Sequence, residues 1–561
     1  MKLSIIDQYF KLINMRSHNL YYTFYLTLLI LLINCNNLLA QVNAPAIQWE
    51  NTIGSWDMDA LSSIKQTTDG GYIIGGSSTS ENGGDKTEDS KGTTDYWVLK
   101  LDATGNIQWQ NTIGGNNVDY LESIQETTDG GYILGGYSDS NISSDKTENC
   151  QGALDYWVVK LNSDGNIQWQ NTIGGDSTDY LADIMQTTDG GYILGGASVS
   201  NTSGDKTKNR KGAFDYWVVK LNSAGNIEWQ NTIGGNSDDF LLSIEQTTDG
   251  GYILGGFSDS NISGDKTENR KGGFDYWVVK LNSAGYIEWQ NTIGGSSTDK
   301  LSSIEQTTDG GYILGGVSRS NISGDKTENG LGTNKDHYWV IKLNSIGDIE
   351  WQNTIGGNSS DYLIDVHQTT DSGYILGGYS YSNISGDKTE NNQGYSDYWV
   401  IKLNSTGNIE WQNTIGGNSD DYFSSIEQTT DGGYILGGHS FSDSSGDKTE
   451  NNVGIYDFWV VKLAPETSSA HQIGTTNSTP RVYPNPADVA VYIDLAKIQG
   501  TTYSLSLCTV EGTMVYTKAS TPIPADKLLS MPILEVPEGL YFLSITTDVG
   551  NSGAYKIWVR H

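Results

Sequence analysis

Residues 240–293 read FLLSIEQ-TTDGG-YILGG-FSDSNISGDKTENRKGGFD-YWVVKL-NSAG-YIEWQNTI. Four short runs rich in β-branched and aromatic residues, Phe240–Gln246, Tyr252–Gly256, Tyr276–Leu281 and Ile287–Ile293, alternate with clusters of Gly, Asn, Asp and Ser. None has helical period, so the stretch predicts four strands. The same sentence is written seven times. One Trp recurs at Trp49, Trp109, Trp169, Trp229, Trp289, Trp351 and Trp411, a second at Trp97, Trp157, Trp217, Trp277, Trp339, Trp399 and Trp459, spaced by 60 residues with one interval of 62. The array opens on the fourth-strand phrase, I-Q-W-E-N-T-I at 47–53, and closes on the third-strand phrase, D-F-W-V-V-K-L at 457–463. The last unit therefore lacks what the N-terminus holds in surplus, which is the arrangement of a ring and not of an open rod.

The chain is accordingly read as all-β: a seven-bladed β-propeller of four-stranded blades closed by the N-terminal strand, followed by a small β-sandwich. Residues 47–53 are expected as the outer strand of the blade whose other strands lie in 421–463, which removes an open edge. The first two strands of each unit are joined by T-T-D-G-G, a hairpin whose glycines supply positive φ. The sixth unit reads Asp371-Ser372-Gly373. The second glycine is kept there, which predicts that it holds the left-handed position. The Gly pair ending the second strand, Gly255-Gly256 in the fourth unit, allows close approach of another backbone or ring. The scheme resembles that of WD-repeat and kelch-type propellers, without their signature residues. The unit itself resembles the repeats of secreted Bacteroidota proteins, through D-G-G-Y-I-L-G-G, S-G-D-K-T-E and D-Y-W-V-V-K-L, a resemblance that implies a fold and almost no biochemistry.

Residues 24–33 form a short apolar run, preceded by Arg16 and His18 and followed by L-L-A-Q. Read from Met15 this is a secretory signal with cleavage after Ala40, residues 1–14 being a misassigned start, and the run is too short for a membrane span. A lipid anchor at Cys35 is disfavoured by the Ile33-Asn34 before it. Without residues 1–40 the chain keeps 30 basic and 66 acidic side chains, a net charge of −36. Such a surface repels nucleic acid and anionic membrane and favours solubility. Cys150 and Cys508 lie far apart in separate segments, which argues against a disulfide framework.

After Leu463 the repeat stops, and residues 464–480 read as a polar linker. From Arg481 come R-V-Y-P-N-P-A, V-A-V-Y-I-D-L, S-L-S-L-C-T-V-E-G-T-M-V-Y, G-L-Y-F-L-S-I-T-T and Y-K-I-W-V-R, alternating strands of a small antiparallel sandwich over 481–561. This segment closely resembles the C-terminal sorting domain of the type IX (Por) secretion system, through Tyr483-Pro484-Asn485-Pro486, the turn at Gly512, Gly539 and Tyr541, and the terminal strand with Lys556. The resemblance implies export across the outer membrane of a bacterium of the Bacteroidota by the type IX machinery. The final His561 departs from the Lys or Arg common at that family's end.

A catalytic centre on a ring of near-copies should show as broken symmetry. His337, His367, His439, His471 and His561 do not recur across units and have no metal-ligand spacing. A Ser nucleophile elbow and a phosphate-cradling glycine loop are absent. The carboxylates present in every unit, Asp59 and its equivalents and Asp85 and its equivalents, are expected to bond backbone amides. A glycosidase needs two carboxylates converging on one bond, and the sequence singles out no pair. The expectation is a non-enzymatic protein without cofactor, calcium being the one candidate metal: Asp259, Asn261, Ser263 and Asp265 approach the D-x-[DN]-x-[DN]-G pattern.

The second-to-third and fourth-to-first connections emerge on one face, where function on such rings usually lives. Tyr137, Phe257 and Tyr379 follow the Gly pair, and Tyr381 and Phe441 lie two residues on. Aromatics in a polar, acidic rim suit sugar stacking or peptide contact, and equally suit packing between loops. The chain is expected to be a secreted or outer-membrane-surface binding or adhesion protein. Its expected partners are the type IX machinery and a glycan or surface protein, with no nucleic acid and no membrane span in the mature chain. A carbohydrate-active enzyme and a structural surface protein are the alternatives.

Overall fold

The computed structural model describes residues 44–466 and most of 481–560. They belong to two compact units, the first being Ala44–Glu466. In it the seven repeats form seven four-stranded antiparallel sheets. Six are continuous in sequence. The seventh runs, from outside in, Ile47–Ile53, Asp457–Leu463, Tyr434–Ser440 and Asp421–Gln428, so its outer strand comes from the other end of the unit. Thr52 lies opposite Trp459 and Ile53 opposite Phe458, the register that Thr112 and Ile113 hold against Trp97 and Tyr96. Every first strand lies against the first strands of both neighbours, which closes a circle around an axis. The unit is a seven-bladed propeller, with blade 1 at 59–113 and blade 7 at 421–463 plus 47–53.

Each blade interface is a shared core. Ile73, Tyr96 and Val98 of blade 1 pack with Leu121, Ile124, Leu134 and Trp157 of blade 2. At the seam, Ile53, Phe458 and Val460 pack with Leu61, Ile64 and Trp97. With about 2 kcal/mol for each large apolar side chain buried, one interface is worth on the order of 10 kcal/mol. Six interfaces add a hydroxyl bond, as Tyr96 Oη donates to the Trp157 carbonyl at 3.0 Å. The seam has Phe458 in that column and substitutes a ring contact, 5.1 Å between the centroids of Phe458 and Trp97.

The hairpin glycines exchange the roles expected of them. The first, Gly190 in blade 3, has φ 81°, and Ser372 holds the same position in blade 6 at φ 68°. The second is needed for space: a Cβ on Gly191 would lie 2.2 Å from the Leu221 carbonyl oxygen, whereas one on Gly190 meets nothing within 4 Å. The Gly pair behaves as expected, since a Cβ on Gly196 would lie 2.0 Å from the Tyr180 carbonyl oxygen. The second strand runs on to Ser258, so Phe257 and its equivalents are strand residues and not loop residues.

The carboxylates repeated in every blade bond backbone amides. Asp119 Oδ2 accepts from Gly115 N at 2.7 Å, and Asp145 Oδ2 from Gly114 N at 3.2 Å. Asp239 and Asp275 of blade 4 flank buried Lys266, whose ammonium lies 5.0 Å from the Trp277 ring centroid. Burial pushes Asp239, Asp275, Asp421 and Asp457 up to about 6 and Asp397 up to about 7, and pushes Lys266 down to about 8. A carboxylate of the adjoining blade adds to the rise, Asp215 for Asp239 and Asp421 for Asp397.

The C-terminal unit has two sheets. One comprises Arg481–Tyr483, Ala490–Asp494 and Leu528–Pro532; the other comprises Met514–Pro522, Thr502–Thr509, Gly539–Thr547 and Ser552–Val559. They share one core, which includes Val491, Leu507, Met531, Leu543 and Ile557, and form a small sandwich.

Two tests follow from this packing. Gly190→Ser should cost about 1 kcal/mol, the left-handed penalty, and Gly191→Ser about 3 kcal/mol or more through overpacking. Equal costs on urea denaturation would overturn the assignment. The raised carboxyls take up protons in the folded state before the unfolded one, so their stabilisation grows as pH falls through about 7 towards 4. Lys266 is fully charged below its lowered value and is neutral to this change. In the hairpins, burial works against the Asp129 and Asp189 carboxylates, but the neighbouring Thr hydroxyls, glycine amides and lysines outweigh it and lower both to about 2. Their contribution is lost only below about pH 4. The melting temperature should therefore peak between about pH 4 and 5.5, and a steady fall from pH 7.5 to 5 would refute this assignment.

Candidate functional site

The seven copies differ in their first strand as well as in the connections of the loop-rich face. Its second residue is Ala60, Tyr120, Tyr180, Phe240, Lys300, Tyr362 or Tyr422, and its seventh is Lys65, Gln125, Met185, Glu245, Glu305, His367 or Glu427. The third strand stays within D-Y-W-V-V-K-L and close variants. Because the first strands ring the axis, the variable side chains converge there.

Inside, the seventh residue reaches the backbone of the next blade. Gln186 N donates to Gln125 Oε1 at 2.8 Å, Gln306 N to Glu245 Oε2 at 2.5 Å, and Gln66 N to Glu427 Oε2 at 2.5 Å across the seam. Blade 6 departs furthest. His367 stands between Glu305, 2.6 Å from Nδ1, and Asp365, 3.2 Å from Nε2. Burial opposes its charge, but Asp365 and Glu305 outweigh burial and push His367 up to about 10. Burial likewise works against Asp365, and His367 beside it holds that carboxyl well below the usual range. Burial disfavours the Lys65 ammonium too, yet Glu427, Asp365, Asp183 and Glu305 together raise its pKa. Burial first, then Glu305 and Asp183, push Glu245 up to about 7. These groups come from blades 1, 3, 4, 5, 6 and 7, and they form one mixed-charge interior that no single repeat contains.

At the end of the axis where the first strands begin, on the loop-rich face, aromatic rings form a collar. One arc runs Tyr120–Tyr137 (5.5 Å between centroids), Tyr137–Tyr180 (5.0 Å), Phe214–Phe240 (4.6 Å), Phe240–Phe257 (5.3 Å) and Phe257–Phe274 (5.1 Å). The other includes Tyr362–Tyr379 (5.1 Å), Tyr379–Tyr422 (5.2 Å) and Phe441–Tyr456 (4.7 Å), with the Tyr381 and Tyr422 hydroxyls 3.2 Å apart. The arcs are interrupted at blade 1 by Ala60 and Ser77, and at blade 5 by Lys300 and Arg319. All five aromatics singled out from sequence, Tyr137, Phe257, Tyr379, Tyr381 and Phe441, belong to this collar. They pack on their neighbours and keep part of their surface in solvent, as does Tyr120 at 39% exposure.

The calcium-like loop is arranged otherwise. Asp259 Oδ1 accepts from Asp238 N at 2.9 Å, and Asp265 Oδ2 accepts from Gly234 N at 3.1 Å and pairs with the Lys211 ammonium. Ser263 Oγ donates to the Asn261 carbonyl at 2.8 Å. Ser263 Oγ also lies 3.0 Å from Asn236 Oδ1, and the described residues contain no group of three or more His, Cys, Asp or Glu placed to hold a metal ion.

Lys65, Glu245, Glu305, Asp365, His367 and the second-position aromatics were not singled out from sequence. The signal for them is internal: laid in register, the seven copies vary at the second, fourth and seventh positions of the strand that ends up innermost. In the C-terminal unit Tyr541 is buried and its hydroxyl donates to the Pro537 carbonyl at 2.9 Å, next to the strand that Gly539 begins. Tyr483 closes the first strand, and Lys556 pairs with Phe542 in the last. Pro484, Asn485, Pro486 and Gly512 lie outside the described residues, as do the signal segment and most of the linker.

Comparison with known proteins gives a partial match in sequence. The chain is 24% identical over 298 residues to Regulatory protein FlaEY of Caulobacter vibrioides, which is 48% of this chain and 30% of that protein, so the chain spans under a third of that relative's length. Among solved structures, Sqt1 from Chaetomium thermophilum is 13% identical with a TM-score of 0.39, covering 75% of this chain and 100% of that one. A protein of unknown function from Dyadobacter fermentans is 10% identical with a TM-score of 0.40, covering 75% and 99%. Likeness at that level carries no argument, and the propeller assignment rests on the seven sheets themselves. Residues 481–560 match the family model described as Secretion system C-terminal sorting domain. With that match and the small sandwich, this segment is a type IX sorting domain, carried behind a seven-bladed propeller.

Proposed function

We propose that the protein is a non-enzymatic binding protein of the cell surface or surroundings, whose propeller takes a glycan at the axial mouth of its loop-rich face. The observation that supports this most is where variation falls: on a scaffold of near-identical blades, the axis-facing side chains, the aromatic collar and the loops around it carry most of the differences. Partly exposed rings in tilted, stacked and edge-on contact offer flat apolar surfaces to sugar rings, and the polar interior below offers hydrogen bonds. The match to a sorting domain supports export, and a binding site outside the cell accords with it.

Binding of the purified protein on a glycan array tests this. Tyr120→Ala, Phe257→Ala and Tyr379→Ala should each weaken the selected interaction about 10-fold, the loss of roughly 1.4 kcal/mol of ring contact. Tyr286→Ala, exposed in the turn between the third and fourth strands on the opposite face, should leave it unchanged. Binding untouched by all three collar variants would reject the mouth as the site.

A second reading, a carbohydrate-active enzyme, draws on His367 between Asp365 and Glu305, with Glu245 near neutrality. Mass spectrometry of any bound oligosaccharide after prolonged incubation separates the two. Recovery of intact ligand supports the binding protein, and shortened products that vanish in Glu245→Gln would establish the enzyme.

A further inference from the structure

Charge is distributed unevenly on the loop-rich face. In a chain with net charge −34, the variable cations of this face concentrate in blades 3 to 5, among them Arg210, Lys211, Arg270, Lys271, Lys300 and Arg319, while Lys91 of blade 1 shares the column of Lys211 and Lys271. In the column of Arg210 and Arg270 the other blades carry Ser90, Cys150, Gly330, Asn392 and Asn452, and in the column of Lys300 they carry aromatic residues or Ala60. Lys211 and Lys271 pair with Asp265 and Asp325, and Arg319 is held by Asp336 through bonds of 2.8 and 2.9 Å. Arg210 and Arg270 are exposed. Lys300 is half-buried, with its ammonium 4.9 Å from the Phe257 ring centroid and 5.1 Å from that of Phe274. Besides the carboxylates that hold these cations, Asp238 and Asp259 lie in the sector, and each already accepts a backbone amide: Asp238 from Phe214 at 3.2 Å and Asp259 from Asp238 at 2.9 Å.

The same sector is where the collar loses its hydroxyls. Phe214, Phe240, Phe257 and Phe274 follow one another there, whereas blades 2, 6 and 7 present mainly tyrosine. A purely apolar arc with one ammonium set among its rings suits a ligand that is flat, apolar on one side and anionic at its edge. A uronate meets this description within a single sugar: the ring that stacks also carries the carboxylate. Such a pair is partly desolvated by the phenyl rings, which strengthens it relative to one in open water.

We propose that the blade 3–5 sector of the mouth binds a carboxylated polysaccharide, its uronate rings on the phenylalanine arc and a carboxylate on Lys300. Arg270 and Arg210 extend the attraction along the polymer. This rests on the glycan-binding function proposed above and narrows the ligand to one class.

Affinity electrophoresis of the purified protein in native gels tests it, with polygalacturonate, dextran or dextran sulfate in the gel at about 0.15 M salt, where unpaired long-range attraction is largely screened. Polygalacturonate should retard the protein and dextran should not. Lys300→Gln should weaken retardation roughly 10-fold, Lys300→Arg should restore most of it, and Arg270→Gln should weaken it less. Melting curves of the variants should match that of the parent. Equal retardation by dextran, preference for dextran sulfate, or polygalacturonate binding indifferent to Lys300→Gln would overturn the uronate assignment while leaving glycan binding in place. Failure of every polysaccharide here, together with a blank glycan array, would remove the glycan reading itself.

Discussion

The pairing of Ile47–Ile53 with Asp457–Leu463 is the constraint on which the rest depends. A row of four-stranded blades has two raw edges, each with unpaired backbone groups and an uncovered apolar face. Joining the ends across a blade satisfies both and adds one more interface to the six that adjacent repeats make. It also fixes the number of copies, because the circle must close on itself. The seam is where the repeat tolerates substitutions: Phe458 replaces Tyr, and Glu50 replaces Gln while accepting from Trp459 Nε1 at 2.7 Å, as Gln110 does from Trp97 at 3.1 Å.

Closure divides the residues into two populations. Those facing neighbouring blades have their volume set by both sides: the Trp of the third strand, the Gly pair and the paired leucine and isoleucine of the first strand. They scarcely vary. First-strand side chains that face the axis meet no blade core, so the fold leaves them free, and they range from alanine to lysine and tyrosine. Symmetry in the scaffold thereby produces an asymmetric site, with each blade contributing one or two groups to a common space.

Much of the fold could be read from residue spacing. The seven-fold recurrence, the offset between the ends and the run of small polar residues at each turn sufficed for blades, strands and closure. Two details could not be read from one repeat. The left-handed residue of the hairpin is the replaceable glycine, since Ser accepts that conformation where space is open, while the kept glycine faces the Leu221 carbonyl and its equivalents. The calcium-like pattern at Asp259 is locally persuasive, but its partners come from residues 234, 238 and 211, contacts that spacing within the loop does not show. Tyr137, Phe257 and Tyr379 belong to the second strand and not to the loop, whereas Tyr381 and Phe441 lie just beyond its end. The interior at Lys65 and His367 is not legible within one repeat, because its charges come from first strands of six blades that only the assembled ring brings together.

The most direct measurement is glycan binding by a symmetrised protein, in which the second residue of all seven first strands is set to Phe, as in blade 4, while the charged interior and every interface residue are kept. Such a chain should unfold with the same cooperativity and a similar melting temperature, and should lose selective binding. Full binding by the symmetrised ring would show that the ligand is held elsewhere, and that variation at this first-strand position has no part in recognition.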